Sequence, residues 1–524
     1  MSVISSSSAV SRISAMRSGF LGTFCTHSIS IAVSPSLFAC LRPSTVPPGA
    51  GVEWGVPATA KCKERAIDGS VPPVPIAKDI AAKTLATKQG EVAYQIVEKL
   101  TDAGFDTWWV GGGVRDMALG GFPLDIDIAT EALPDQVRSL FPNTVGSTGE
   151  QFGSVIVRIK GLNMEVTTFR EDDEVSDGRH PESVVFGKRE QDAKRRDITI
   201  NALYWNPISR EWYDPFNGEA DLKERLIRFI GDPAVRIKHD ALRLLRVVRF
   251  RALINGQYHP ETYRALTAQA KNIETLSGSR ALRELEKMLS GPHPDRAFED
   301  LWETRILSDL IPELYACKGI AQPQEYHHEG DVWDHTMMAL KAFLPEHGLD
   351  VRFALLFHDI GKAVTFKTKE RIRFDEHAPV SADLADQALH RLQATGNRIR
   401  KVHWLIAHHM MMGFFAEMNA ERKSHWYFHP WFHELLELFW LDIAGTDPQD
   451  YTLYGSILQD YNRFLNEHPR PPKQLLSGEE IMEILGLAPG EKVGQVIAAL
   501  HEAQISGEVT KKSEAREFII RMKK

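Results

Sequence analysis

Hydrophobic and polar positions divide the chain into stretches of different rhythm. Up to about residue 80 no period holds. From Ala81 the apolar residues take a helical spacing, and EVAYQIVEKLTDAGF reads as an amphipathic helix closed by Gly104. The rhythm then shortens. DTWWV is an apolar strand that runs into three glycines and a helix start. LDIDIAT, GSVIVRIK and MEVTTFR alternate as strands do, and DAKRRDITINALYW with REWYDPF closes this mixed region near residue 217. From about residue 232 the spacing is helical almost throughout, with glycine and proline breaks near 291–294, 318–323 and 467–472 and no fixed-period repeat. The pattern predicts an α+β head over 81–228, a helical neck over 229–318, a further helical domain over 319–466 and a helical tail over 467–524.

At 524 residues the chain exceeds one ordinary core, which agrees with several domains. A formal charge of −8 rules out a chain-wide basic field, so any nucleic-acid contact must use local patches. Of four cysteines, Cys25, Cys40 and Cys62 lie before residue 80, and Cys317 stands alone after it; this predicts a reducing compartment without a disulfide or zinc framework. The most apolar stretch, 20–41, is broken by His27, serines and Pro35, so no membrane span is expected. Residues 1–80 are rich in Ser, Ala and Pro, carry Arg12, Arg17 and Arg42, and have no acidic residue before Glu53. That composition fits a targeting segment or an unstructured extension, giving a cytoplasmic protein with a plastid or mitochondrial destination as the alternative.

The chemistry concentrates in the head. Asp125 and Asp127 are two residues apart in an alternating segment, so their carboxylates share one face while Ile126 and Ile128 take the other. Adjacent anions call for a cation, and oxygen-only ligands suit Mg²⁺. Glu165, on a neighbouring strand, supplies a third carboxylate, and such a trio can serve two metals in nucleotidyl transfer. Gly111-Gly112-Gly113 lets backbone N–H groups approach a triphosphate, with Arg115 adding charge; by itself the run is equally a tight strand–helix turn. In the neck, Asp240, Arg243, Arg246 and Arg249 recur every third residue beside an apolar stripe of Leu242, Leu245, Val248 and Ala252. An Asp that accepts and an Arg that donates can read a base edge, and the same spacing also describes a solvated basic face.

Taken together, GGGVRD, LDIDIAT, EVTTFR and DAKRRDITINAL resemble the bacterial (class II) tRNA nucleotidyltransferase and poly(A) polymerase family. The resemblance implies a polymerase-β-like head, with Asp125, Asp127 and Glu165 as the catalytic carboxylates and the first two as metal ligands. It implies Gly112 and Arg115 at the nucleotide phosphates, and Arg196, Asp197 and Asn201 around the incoming nucleotide. The neck run resembles the family's EDxxRxxRxxRF motif, which selects C and A, but His239 stands where Glu is usual. SGSRALRELEKML resembles the next family helix, a scaffold for the neck. Downstream, His335, then His358-Asp359 followed by IGK, then Asp442 resemble the metal ligands of the HD superfamily; His377, His408 and His409 offer further donors, and the mixed set suits a second divalent transition metal. The basic tail KKSEAREFIIRMKK is a candidate contact for RNA phosphates.

The implied activity is template-independent building or repair of the tRNA 3′ CCA end from CTP and ATP. A poly(A) polymerase, or an enzyme adding only A or only CC, shares the motifs, although SDGRHPESVVF looks more like CCA-adding relatives. An HD phosphohydrolase whose head merely binds RNA is the alternative from another class. The sequence bears no mark of oligomeric state.

Overall fold

The structure, a computed structural model, describes residues 78–522 apart from 124, 146–152, 172–184, 326, 369–370, 469–472 and 506–507. The Ser- and Pro-rich start and most of SDGRHPESVVF therefore lie outside the described residues. The chain divides into two compact units, one of residues 60–410 with 437–451, the other containing 411–436 and 452–524. No helix among the described residues is long and apolar enough to cross a membrane.

In the first unit Thr87 caps the helix Lys88–Asp102 by accepting the Gly90 N–H. Val92, Ala93, Ile96, Val97 and Leu100 form its buried face, which lies on the sheet of the head. Burial of each larger side chain is worth about 1.5–3 kcal/mol. The strands are β1 (Thr107–Val110), β2 (Asp127–Thr130), β3 (Thr144–Val145), β4 (Ser154–Ile159), β5 (Leu162–Thr168), β6 (Arg170–Glu171), β7 (Val185–Phe186), β8 (Tyr204–Trp205) and β9 (Trp212–Tyr213). Seven of them form one mixed sheet in the order β3-β4-β5-β2-β1-β8-β9, while β6 pairs with β7. β2 runs parallel to β5, with Ile128 opposite Val166, and antiparallel to β1, with Asp127 opposite Val110. Trp108, Val110, Ala129, Phe169, Ala193 and Tyr204 make a buried cluster against the sheet.

One expectation is corrected here. LDIDIAT was expected to be strand from its start, but β2 begins at Asp127. β1 ends at Val110, opposite Asp127, and the chain turns there into the helix Gly111–Ala118, so on that side Asp125 has no strand partner. Its carbonyl instead lies against Gly113, where a Cβ would come within 2.6 Å of it.

The neck contains the helices Pro233–His239, Leu242–Leu253, Gly278–Leu289 and Pro294–Glu303. The continuous helix face expected for Asp240 through Arg249 is interrupted. Asp240 sits in the break between the first two helices, extended at φ −149° and ψ 107°, and its Oδ1 accepts the Leu242 N–H at 3.1 Å. A short acidic side chain favours this arrangement because it satisfies a helix-start N–H group that would otherwise lack a partner.

Beyond the neck, Val332–Leu340, Leu349–Phe357, His377–Arg391 and Gly396–His408 pack into a helical bundle. The neck helix Gly278–Leu289 is seated on it at both ends. A Cβ on Gly278 would stand 2.1 Å from the Arg391 carbonyl oxygen. At the other end the Arg352 Nη1 donates to the Leu289 carbonyl at 2.5 Å. Arg398, paired with Asp350 at 2.9 Å, also reaches Glu286 in the middle of the helix.

The second unit has its own core: Leu476, Ile481, Leu485, Val493, Val496, Leu500, Val509, Ala515 and Ile519 are buried among the helices Gly478–Leu485, Glu491–Ile505 and Lys512–Met522. A reciprocal cap between Ser477 and Glu480 starts the first of these, and Gly486 at φ +66° ends it.

Candidate active site and histidine cluster

The head site grows from the turn after β1. Gly111 has φ +69°, a left-handed conformation that glycine adopts without strain. A Cβ there would meet the Arg196 Nη1 at 3.2 Å and the Asp127 Oδ2 at 3.6 Å, so the turn, the arginine and the carboxylate converge. Asp125, Asp127 and Glu165 are all exposed, while Ile126, Ile128 and Val166 between and beside them are buried. Crowding by protein atoms, then the Asp125 charge, push Asp127 up to about 6; Arg196 opposes this and Glu165 adds to it. Three carboxylates with too little positive charge among them are a fit for divalent cations.

Behind them runs a continuous polar chain from head to neck. Arg115 is buried, donating from Nε and Nη2 to Asp116 Oδ1 at 3.0 and 2.7 Å and from Nη1 to Asn201 Oδ1 at 2.8 Å. Asn201 Nδ2 donates to Asp197 Oδ1 at 3.1 Å, and Arg246 Nε donates to Asp197 Oδ2 at 2.7 Å. Burial alone would raise Asp197, but Arg246 and the Asn201 hydrogen bond outweigh it and hold the carboxyl down to about 2. Arg196 donates from Nε to the Tyr204 hydroxyl at 2.9 Å and from Nη2 to Asp192 Oδ2 at 3.0 Å, and that hydroxyl donates to the same Asp192 oxygen at 2.7 Å. Asp192, likewise buried, is pulled down to about 2 by Arg196 and Arg195 against its burial. Gly112 lies beside this chain, its Cβ position 3.6 Å from Arg115 Nη2.

The neck residues take their partners from the head, from the preceding helix and from the helix Gly278–Leu289. Arg243 Nη1 donates to the Arg236 carbonyl at 2.8 Å. Arg246 grips Asp197 in the head, and Arg249 Nε donates to Glu284 Oε2 at 2.6 Å. Asp240 accepts from Arg280. Phe250 is buried under the guanidinium groups of Arg115, Arg246 and Arg249, the last 4.0 Å from the ring centre. His239, the departure from the usual motif, is exposed at the end of its helix.

A second constellation lies among the bundle helices. His335 Nε2 is 3.0 Å from Asp442 Oδ1 and 3.3 Å from His358 Nε2, which is itself 3.2 Å from Asp359 Oδ2. On the far side of Asp359, Oδ1 is 3.4 Å from His377 Nε2 and 3.9 Å from His409 Nε2. The Nδ1 atoms of His358, His377 and His409 lie 2.7, 3.0 and 2.7 Å from backbone carbonyl oxygens. A carbonyl only accepts, so each Nδ1 carries the proton and each Nε2 is left to face inward. The His377 Nε2 is buried without a hydrogen bond. His358 would be lowered by burial, but Asp359 and Asp442 overrule this and push it up to about 10, drawing positive charge into the cluster. A divalent cation supplies that charge through the same donors, so the residues fit one. His335, His358, Asp359 and Asp442 come together as expected, and His377 and His409 join them. His408 does not: its Nδ1 donates to the Trp404 carbonyl at 2.7 Å, four residues back on its helix.

Several supporting residues escaped sequence reasoning. Asp192 stands three and four residues before Arg195 and Arg196, a spacing that was visible. Arg280 and Glu284 meet partners 40 and 35 residues away, and Glu329, whose Oε1 is 3.2 Å from His335 Nδ1, precedes it by six across a turn. No local pattern marks such pairs.

Three family models match the chain: the poly A polymerase head domain over residues 107–228, a probable RNA- and SrmB-binding site of polymerase A over 257–317, and the HD domain over 330–436. Together these imply divalent-metal use. The chain is 37% identical over 270 residues to the CCA-adding enzyme of Geobacillus thermodenitrificans, a stretch covering 51% of this chain but only 63% of that enzyme. It is 34% identical over 302 residues to the CCA-adding enzyme of Lactobacillus helveticus, covering 56% of this chain and 74% of the relative. Among solved structures, the Bacillus stearothermophilus CCA-adding enzyme in complex with CTP superposes with a TM-score of 0.59 at 26% identity, over 83% of this chain and 98% of that one.

Proposed function

Because the chain belongs to the family of the CCA-adding enzymes, the class II tRNA nucleotidyltransferases, we propose that it builds or repairs the 3′ CCA end of tRNA from CTP and ATP. The observation that carries this reading is the open trio of Asp125, Asp127 and Glu165 beside the Gly111 turn and Arg196, with Asp127 raised by the protein atoms crowding it and then by its anionic neighbours. These carboxylates would hold divalent cations, Mg²⁺ by their oxygen-only chemistry, which when bound polarise the attacking hydroxyl and carry the charge of the departing pyrophosphate.

The chain's own groups do the rest. The glycines, Gly112 among them, keep the triphosphate path free of side chains, and Arg196, fixed by Asp192 and Tyr204, offers charge at its edge. Arg115, engaged through all three guanidinium nitrogens, steadies Asn201 and, through it, Asp197. Arg246 and Arg249 lock the neck to the head and to Glu284, so that Asp240 and Arg243 meet the base in a fixed setting. The exocyclic amines of cytosine and adenine suit the carboxylate of Asp240, while Arg243 donates to ring acceptors. We propose a cytoplasmic, reducing location, in which Cys317 stays a buried free thiol.

The direct test is to incubate the protein with tRNA lacking its CCA end, Mg²⁺, and CTP and ATP singly and together. Addition of C, C and A followed by a stop supports the proposal; a long A tail from ATP alone moves the protein to the poly(A) polymerases. A second reading, hydrolysis of phosphoesters at the histidine cluster, is favoured by the four inward-facing Nε2 atoms around Asp359. Here His335, His358, Asp359 and Asp442 would hold a transition metal. Metal-dependent cleavage of bis-p-nitrophenyl phosphate that survives D125A/D127A would place that activity at the cluster; no cleavage with any divalent metal would remove it.

A further inference from the structure

We propose that Arg280 is a specificity-positioning residue: it orients the Asp240 carboxylate so that one acceptor site is left for the amino group of an incoming base. The assignment rests on the reading of Asp240 as a base reader.

Arg280 Nη2 donates to Asp240 Oδ1 at 3.0 Å and to Oδ2 at 2.9 Å. Oδ1 also accepts the Leu242 N–H at 3.1 Å. A carboxylate has about four lone-pair sites, two on each oxygen. The described contacts therefore fill both sites of Oδ1 and one of Oδ2, and the remaining site on Oδ2 has a fixed direction. Both side chains stay in reach of solvent, with 33% of Arg280 and 25% of Asp240 exposed, so a nucleotide base can approach the pair.

The arginine is itself firmly placed. It lies in the first turn of Gly278–Leu289, the helix whose Gly278 abuts the Arg391 carbonyl. One turn further along, Glu284 takes Arg249. The same helix thus fixes both ends of the neck array, its acidic member through Arg280 and its last arginine through Glu284. Cytosine and adenine present an amino donor where uracil and guanine present a carbonyl. A single acceptor in a fixed direction rewards the first pair and repels the second. Without Arg280 the carboxylate is free to turn about its bonds, and the reward weakens.

The experiment compares wild type, Arg280→Ala, Arg280→Lys and Asp240→Asn for incorporation of CTP, ATP, UTP and GTP into tRNA lacking its CCA end, with kcat and KM separated. Arg280→Ala is expected to lower the preference for CTP over UTP by about tenfold, or about 1.4 kcal/mol, since orientation is part of what a base contact contributes to discrimination. The loss should fall mainly on the KM for CTP and ATP, and Arg280→Lys should restore part of it. An equal loss for all four nucleotides, or an unchanged preference, overturns the proposal and leaves Arg280 a structural residue. Asp240→Asn separates the two levels. If it relaxes selection while Arg280→Ala does not, positioning by Arg280 is wrong and base reading stands. If it leaves selection intact, base reading by Asp240 fails and the proposal falls with it. Melting temperatures of all variants show whether a lost kcat reflects unfolding; the ratio of preferences, from which the folded fraction cancels, reads positioning alone.

Discussion

The carboxylates of the head and those of the histidine cluster solve opposite problems. Asp125, Asp127 and Glu165 face solvent with oxygen atoms alone, and at Asp127 the repulsion of the other two is opposed by Arg196. Asp359 is buried at 3% exposure, and every charge around it is answered by a neighbour: Lys362 Nζ at 2.7 Å, His358 at 3.2 Å, His377 at 3.4 Å. The first arrangement fits a cation reached directly from solvent; the second would enclose one among buried donors. An open site can lose a side chain without disturbing the fold, whereas a closed one cannot.

The sharpest way to break this comparison is to remove one carboxylate from each. Asp127→Ala should lower nucleotide incorporation by about three orders of magnitude, since metal-assisted charge stabilisation is worth several kcal/mol, while thermal unfolding stays close to wild type. A large fall in melting temperature would show that the head carboxylates carry structure after all. Asp359→Ala should do the reverse. Leaving Lys362 without its carboxylate in the interior, and His358 with Asp442 alone, is expected to cost about 3–5 kcal/mol in chemical denaturation, with incorporation per folded molecule largely kept.

Acid gives a third, smaller contrast within the head. Asp192 and Asp197 are held at about 2 against an ordinary value of 3.8. Their folded values are depressed, so the stability they contribute is present above pH 3.8 and is lost as pH falls towards 2. Each should account for about 2 kcal/mol at neutral pH. Melting curves between pH 6 and pH 2 should therefore flatten in Asp192→Asn and Asp197→Asn; a slope equal to wild type would mean that neither pair is formed in solution. The smallest expected effect is one of exchange. After brief dialysis against EDTA, elemental analysis should find transition metal retained with wild type and reduced in His377→Asn, while added Mg²⁺ alone restores incorporation in both. Equal metal loss from the two proteins would remove His377 from the cluster's ligands.

Much of the head could be read in advance because its chemistry is local. Asp125 and Asp127 are both exposed while Ile126 and Ile128 are buried, an alternation visible in the sequence although only Asp127 lies in a strand, and the three glycines announce the turn. Where reading failed, the cause was tertiary. Nothing in LDIDIAT tells that β1 stops two residues too early to pair with Asp125. Likewise, the three-residue spacing of Asp240 and the arginines suggested one helix face, yet Asp240 leaves the helix to cap it. The histidines were visible as types, but the inward turn of each Nε2 depends on backbone carbonyls that only the packed helices supply. Arg280 and Glu284 were hidden by separation along the chain.

The seat of the helix Gly278–Leu289 carries a lesson for anyone wishing to cut this protein down. Residue 278 has no room for a methyl group against Arg391, and Leu289 is clasped by Arg352. A minimal nucleotidyltransferase ending after the neck would keep every residue assigned to the reaction and still lose the abutment on which Arg280 and Glu284 rest. If Arg280 positions Asp240 as proposed, the bundle would act on nucleotide choice as a buttress acts on an arch, from outside the opening.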